Sequence, residues 1–120
     1  SEKDFLKLAA QNVQALLVQQ IFTGHQDRIV ALAMRHGIAI ISSYPVFAKA
    51  GGLLTYGPDD AAVTRRASYF VDRLLKGASP SDLPVEQPNR FTLALNVTTA
   101  RTLGLTVPSS LSALADVIYE

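Results

Sequence analysis

Hydrophobic positions in the first third of the chain change twice from helical to strand-like spacing. Apolar residues recur at helical spacing over 5–16, and residues 15–18 are then continuously apolar, as in a buried parallel strand. A second helical pattern over 29–36 stops at a glycine and is followed by the apolar run 38–41. These patterns predict a helix that gives way to a strand near residue 14, and then a strand–helix–strand unit.

A strand–helix–strand unit places the loops that follow its two strands at one edge of the sheet. Parallel strands joined by a crossover helix pair right-handedly, and ligands bind beyond their carboxyl ends. The loops at 19–24 and 42–47 are therefore expected to lie together and to carry any ligand-binding side chains.

The middle of the chain contains the strongest helical pattern. Residues 53–56 form a short predicted strand, stopped by a glycine–proline pair, and Asp59 or Asp60 is suited to cap the helix that follows over 60–76. Gly77 supplies the left-handed end of that helix. The wide apolar face of the helix is formed by Val63, Ala67, Phe70, Val71, Leu74 and Leu75.

The last third of the chain combines a stiff connector with short elements. Residues 79–84 are rich in turn formers. A strand is predicted over 90–96, and two short helices are predicted near 98–103 and 109–118. Asn96 begins an Asn-Val-Thr glycosylation acceptor, although a strand end followed by a threonine cap explains the same three residues.

The composition indicates one compact globular domain. The chain has 120 residues, of which 48% are hydrophobic and 18% are charged. Its 11 basic and 10 acidic residues are spread along the sequence, which argues against a nucleic-acid or anionic-membrane partner. The absence of cysteine excludes disulfides and thiolate metal sites. The sequence contains no signal region and no bilayer-spanning run, so any export signal is expected to have been removed or left out, and cytosol and periplasm both remain open.

Candidate catalytic and metal-binding residues all have ordinary structural interpretations. His25 and His36 would stand ~16 Å apart on a straight helix, too far to share a metal ion. The paired aspartates at the start of the 60–76 helix fit capping better than acid–base catalysis. Gly51-Gly52 lacks the lysine and hydroxyl residue of a phosphate-binding loop, and no serine lies in a GxSxG turn. The sequence therefore predicts no catalytic, metal-binding or cofactor-binding residues and no enzymatic activity.

Three segments of the sequence, in collinear order, carry a family resemblance. They are residues 47–58 (FAKAGGLLTYGP), 74–88 (LLKGASPSDLPVEQP) and 99–108 (TARTLGLTVP). These segments resemble the substrate-binding proteins of ABC-type importers, and more narrowly the branch that includes tryptophan and tyrosine binders. The resemblance extends over most of the chain and implies a bilobed, class I periplasmic-binding-protein-like fold that clamps a small ligand between two α/β lobes.

Within that fold, the resemblance assigns residues 1–120 to the second, C-terminal lobe. This lobe is a three-layer α/β structure with a parallel sheet, and it is expected to be incomplete because the first lobe lies upstream and is absent. Residues 58–77 contain the helix that is expected to pack on the missing first lobe, and the strand 91–96 returns to the second lobe. Without that cover, the apolar face of the 60–76 helix is expected to drive self-association, since burial of each large apolar side chain contributes ~1.5–3 kcal/mol.

By the same resemblance, the second lobe contacts its ligand through the two loops and the crossing strand. Polar side chains there are suited to bind a carboxylate or an amine, and aromatic rings are suited to form flat apolar walls. The polar candidates are Gln20, Ser42 and Ser43, and the aromatic candidates are Phe22, Tyr44 and Tyr56. Caps and turns also explain the two serines, and a core position also explains the phenylalanine. No charged anchor of the kind that amino-acid binders favour lies in these loops.

The residues and the resemblance together predict the extracytoplasmic solute-binding component of an ABC-type importer. Such a protein binds a small molecule, with amino acids among the candidates, and delivers it to a membrane permease. A periplasmic or other extracytoplasmic location follows from the resemblance alone. A ligand-sensing domain of a regulator or receptor with the same fold is an open alternative. An α/β enzyme of flavodoxin-like topology would require an acidic or phosphate-binding loop at the strand ends, which these loops lack.

Overall fold

A computed structural model describes all 120 residues as one five-stranded sheet with six α-helices. The strands are β1 (Ala15–Val18), β2 (Ala39–Ser42), β3 (Leu54–Pro58), β4 (Phe91–Asn96) and β5 (Val117–Tyr119). The helices are α1 (Glu2–Ala10), α2 (Gln26–Arg35), α3 (Pro45–Lys49), α4 (Asp60–Leu75), α5 (Val97–Thr102) and α6 (Ser109–Leu114). The strands follow sequence order across the sheet, and the pairs β1–β2, β2–β3 and β4–β5 are parallel. The protein is therefore an α/β protein with a mostly parallel sheet, as predicted.

β1, α2 and β2 form the predicted strand–helix–strand unit. The two strands pair in parallel with Val18 opposite Ser42, and β2 continues the parallel sheet to β3. α2 stops at the predicted glycine, because Gly37 has a φ of 66° that side-chain-bearing residues rarely adopt. The loops after β1 and β2 consequently leave the sheet at the same edge.

Two of the sequence predictions are wrong. β1 lies at the edge of the sheet, and Leu17 is 73% exposed, so this strand is not the buried strand that its apolar run indicates. Residues 117–119 form β5 instead of extending the last helix, which ends at Leu114. The Asp116 N–H donates to the Leu93 carbonyl oxygen, and the Asp116 carboxylate accepts from the Leu93 N–H, both at 2.8 Å. These bonds place β5 beside β4.

Several short elements could not be predicted from the hydrophobic pattern. α3 and the 3₁₀ turns Gln20–Phe22 and Pro80–Asp82 are too short to show a helical period. β3 also runs through Gly57 and Pro58, which were expected to stop it. α3, the two 3₁₀ turns and β5 are therefore additions to the predicted elements, which keep their own order along the chain.

The chain divides into two compact units, residues 1–57 with 92–120 and residues 58–91. The core of the first unit includes side chains from α1, β1, α2, β2 and α3, with further apolar side chains packed against it. Because both strands of the β1–α2–β2 unit and its helix contribute to this core, the core fixes the framework from which the two loops leave the sheet. Its buried members are Phe5, Val18, Val30, Ala33, Ile38, Ile40 and Phe47.

Buried hydrogen bonds join the start of α5 to the end of α3 and its following loop. The Asn96 side chain donates from Nδ2 to the Ala48 carbonyl oxygen at 3.1 Å and accepts the Thr99 N–H at 2.9 Å. The Thr99 hydroxyl donates to the Gly51 carbonyl oxygen at 2.7 Å. Asn96 is buried and acts as the α5 cap, so capping explains the Asn-Val-Thr sequence without glycosylation, and the cap is the asparagine itself.

The second unit consists of α4 and the return segment 86–90. The Asp59 carboxylate caps α4 by accepting a main-chain N–H of its first turn at 3.0 Å, which is the main reason that the pKa of Asp59 is lowered. Arg66 forms a bidentate pair with Glu86, with Nε and Oε2 2.7 Å apart, and this pair raises the pKa of Arg66 and lowers that of Glu86. Arg90 lies 3.2 Å from the Asp59 carboxylate. Ion pairs at both ends of the return segment, at Glu86 and at Arg90, thus join it to α4 and its cap.

The predicted apolar face of α4 remains exposed. The helix occupies almost the predicted range, yet none of its residues is buried, and Leu75 is 82% exposed. None of the helices in the protein has the length and apolar character needed to span a membrane. α4 is an amphipathic helix with a mostly exposed apolar face.

We expect Thr55→Val to stabilise the protein. Thr55, on β3, is 1% exposed, and its hydroxyl has no hydrogen-bond partner. An unpartnered buried hydroxyl costs about 1–3 kcal/mol, while valine has nearly the same shape and a high strand propensity. The free energy of unfolding, measured by urea denaturation, should rise by about 1 kcal/mol.

Thr99→Val is the matched control for that substitution. It removes the same hydroxyl group from a buried threonine whose hydroxyl is bonded, to Gly51, and it should lower the free energy of unfolding by about 1 kcal/mol or more. A loss of stability in Thr55→Val equal to that in Thr99→Val would contradict the interpretation of the Thr55 hydroxyl as unused.

Candidate functional site

A cavity of about 390 Å³ opens at the carboxyl ends of β1 and β2. One wall is the end of β1 with the 3₁₀ turn that follows it, and the other wall is the turn after β2. The lining residues are Leu17, Val18, Gln19, Gln20, Ile21, Ser43 and Tyr44. They provide amides, a hydroxyl, a phenol and apolar surface, and none of them is an Asp, Glu, Lys, Arg or His. The cavity therefore offers hydrogen bonds and apolar contact but no formal charge.

Three of the six predicted ligand-binding residues come together in this cavity. Gln20 and Ser43 are exposed and present an amide and a hydroxyl to it. Tyr44 is half-buried, packs against the core and directly precedes α3, which begins at Pro45. The proline favours the start of the helix and holds the turn after β2 in a defined conformation. These three residues line one cavity, and their contact with a ligand stays a prediction.

Ser42 is buried at the end of β2, directly before the lining residue Ser43, and does not itself line the cavity. The residue is 2% exposed. Its hydroxyl donates to the Val18 carbonyl oxygen at 2.8 Å and accepts the Tyr44 N–H at 3.2 Å. Ser42 therefore joins the ends of both strands through main-chain atoms, and its predicted direct contact with a ligand stays untested.

Phe22 and Tyr56 also lie outside the cavity lining. Phe22 ends the 3₁₀ turn after β1 and is 48% exposed, so it is not a core residue. Tyr56 lies on β3 and is 57% exposed. Both rings are accessible to a ligand or to another protein surface, and their predicted roles as apolar walls remain predictions.

Four lining residues were not among the predicted ligand-binding residues. Gln19 and Ile21 flank Gln20 in the loop at 19–24, which was expected as a whole to carry ligand contacts, although neither was singled out. Leu17 and Val18 belong to β1, whose continuous apolar run suggested interior positions for both. Leu17 points to the opposite face of the sheet from Val18 and is exposed there, and the apolar run contains no signal that this face is uncovered.

The second unit contains a larger groove of about 620 Å³ between α4 and the return segment. Its lining is mostly apolar, with the paired Arg66 and Glu86 among its members. Arg66 lies over the rings of Tyr69 and Phe70, 4.4 and 4.9 Å from their centroids. Because its charges already have partners and its wall is a helix face, we regard the smaller cavity as the better small-molecule site, despite its size.

No group of three or more His, Cys, Asp or Glu side chains is arranged to hold a metal ion. His25 and His36 flank α2 at its two ends, as their helix-terminal interpretation requires. The His36 ring also stacks on the Phe5 ring, with the ring centroids 6.5 Å apart. The histidines thus contribute to helix ends and packing.

A family model of ABC transporter substrate binding proteins matches residues 5–118 of the sequence. The chain belongs to this family. The match confirms the resemblance seen in the segments 47–58, 74–88 and 99–108. No curated protein matches the sequence significantly.

Solved structures of other proteins share the fold of this family member. An ABC domain from Streptococcus pneumoniae in complex with L-Trp gives a TM-score of 0.85 at 21% sequence identity. A conserved domain protein from Vibrio cholerae O1 gives 0.82 at 19%, and a ligand-free, open substrate-binding protein with adhesive properties from Clostridium difficile gives 0.73 at 18%. Each similarity covers 98% of this chain and 40% of the other chain. The chain thus spans less than half the length of these structures.

We expect Gly57→Ala to displace the turn after β2. A Cβ atom on Gly57 would overlap the Ser43 carbonyl oxygen and lie 3.1 Å from its carbonyl carbon. Main-chain atoms cannot move aside as a flexible side chain does, so the substitution should cost about 1–3 kcal/mol of unfolding free energy. Ser43→Ala is the control, because it keeps the carbonyl group and alters only an exposed hydroxyl. Denaturation curves that coincide for Gly57→Ala and the parent protein would contradict the close approach.

Proposed function

We propose that this family member is the solute-binding component of an ABC-type importer and holds a small molecule between two lobes. The observation that carries the proposal is the cavity at the carboxyl ends of β1 and β2, where parallel α/β sheets bind ligands. In this proposal the chain supplies one wall of the ligand site through Gln20, Ser43 and Tyr44. A first lobe supplies the opposite wall, and ligand favours the closed form by contacting both.

The uncharged lining suggests which part of a ligand this wall receives. Amides and hydroxyls bind neutral polar groups, and Leu17, Ile21 and the Tyr44 ring receive apolar surface. An amino acid is a candidate ligand, a view supported by the L-Trp complex of the structurally similar Streptococcus pneumoniae domain. Its ammonium and carboxylate groups would then find their charged partners on the opposite wall, since burial of an unpaired charge is costly.

The proposal includes a location outside the cytoplasm, which is typical of the family, and delivery of the ligand to a membrane permease. It includes no catalytic step. The cavity lining lacks an acid, a histidine and a cysteine, so it offers no general base of ordinary strength and no thiol nucleophile. Retention of the unmodified ligand is therefore the activity that we assign to the site.

We expect this 120-residue chain to bind amino acids far more weakly than micromolar affinity. One wall leaves much of a ligand in contact with water, and Ile21 on that wall is 80% exposed. Isothermal titration calorimetry with L-tryptophan, L-tyrosine and L-leucine measures this affinity. Micromolar binding by the chain alone would contradict a site shared between two lobes. As a separate experiment, mass spectrometry of small molecules that copurify with the whole protein would identify the ligand directly.

We also propose that the exposed face of α4 pairs with a second copy when no first lobe covers it. Val63, Val71 and Leu74 are each at least 40% exposed along this face. Several large apolar side chains in one patch favour association, because each contributes ~1.5–3 kcal/mol when buried. Residues 58–77 would accordingly pack on the first lobe in the whole protein.

Light scattering at micromolar concentration tests this association. The parent chain should give at least twice its monomer mass of 12.9 kDa, and the double variant Val71→Glu, Leu74→Glu should give the monomer mass. Arg65→Glu is the control, because it makes the same change in net charge on the opposite side of α4 and should leave the assembly intact. A monomeric parent chain, or equal dissociation by the control, would contradict an interface on the apolar face.

A further inference from the structure

The turn after β2 is held by main-chain atoms on both sides. On the β1 side, the Ser42 hydroxyl donates to the Val18 carbonyl oxygen at 2.8 Å. On the β3 side, Gly57 approaches the Ser43 carbonyl group so closely that a Cβ atom has no room. Neither contact involves a side chain that lines the cavity. The position of the turn is therefore set by its contacts with β1 and β3, and not by the side chains that line the cavity.

Ser42 also fixes the course of the chain into the cavity. Its hydroxyl accepts the Tyr44 N–H at 3.2 Å, which closes a serine turn over two residues. The Ser42 hydroxyl thus donates its one proton to a carbonyl group of β1 and accepts a hydrogen bond from a main-chain N–H of the turn after β2. With only 2% of the residue exposed, water has little access to compete for either bond.

We propose that Ser42 is a positioning residue that sets the distance between the two walls of the cavity. One wall, residues 17–21, begins at the strand end whose carbonyl Ser42 binds, and the other wall, residues 43–44, begins at the amide that Ser42 accepts. Ser42 acts on a ligand only through these walls. This inference rests on the proposed function for its purpose, while the bonding that it assigns to Ser42 is independent of any ligand.

Amide hydrogen exchange and chemical shifts, measured by NMR on this chain without ligand, test the inference. In Ser42→Ala, exchange of the Tyr44 N–H should accelerate by at least about tenfold, and amide shifts should change in both 17–21 and 43–44. Ser42→Cys replaces the hydroxyl with a somewhat larger thiol and should show the same acceleration in weaker form, because a thiol is a poor hydrogen-bonding group. The cysteine variant also provides the measurement if the alanine variant does not fold.

Thr99→Val separates positioning from a general loss of stability. It breaks another hydroxyl-to-carbonyl bond, made by a buried threonine of the same unit, so its Tyr44 exchange and its shifts in the two walls should match the parent chain once global unfolding is subtracted. Unchanged Tyr44 exchange in Ser42→Ala, or shift changes confined to 43–44, would overturn the inference. Because no ligand is present, failure of the proposed transport function would leave this result unaffected.

Discussion

The parallel pairing of β1 with β2, in the register that sets Val18 opposite Ser42, is the constraint on which the rest of the site depends. This register places the two strand ends level, so that the following loops form facing walls of one cavity. It also brings the Ser42 hydroxyl within reach of the Val18 carbonyl group. A shift of one residue would turn every side chain of the strand to the other face and would separate those partners.

Much of this arrangement could be predicted from the sequence, because it depends on local periodicity. The β1–α2–β2 unit, α4 and its aspartate cap, and the shared position of the two loops all follow from apolar spacing and end signals. The exposure of Leu17 could not be predicted, since the apolar run does not show which face of β1 the rest of the chain covers. The strand at 117–119 was missed for a similar reason, because hydrogen bonds to the distant Leu93 determine it.

The candidate site shows the same division. Loop position was sufficient to select Gln20, Ser43 and Tyr44, which the structure brings together. The direction of the Ser42 side chain depends on strand register, so a buried hydroxyl that joins two strands could not be distinguished by sequence from one that meets a ligand. For α4, the sequence pattern predicted the helix and its apolar face correctly but did not specify which surface covers that face. The second unit leaves most of it exposed.

We propose that this chain meets its ligand in the cavity between the ends of β1 and β2. The most direct measurement is NMR chemical-shift mapping of the chain during titration with each common L-amino acid at millimolar concentration, where weak binding by a single wall remains visible. Any amino acid that binds should perturb residues 17–21 and 43–44 together. Binding of an amino acid that perturbs the α4 groove, or any other region, and leaves the two walls unchanged would contradict this location of the site.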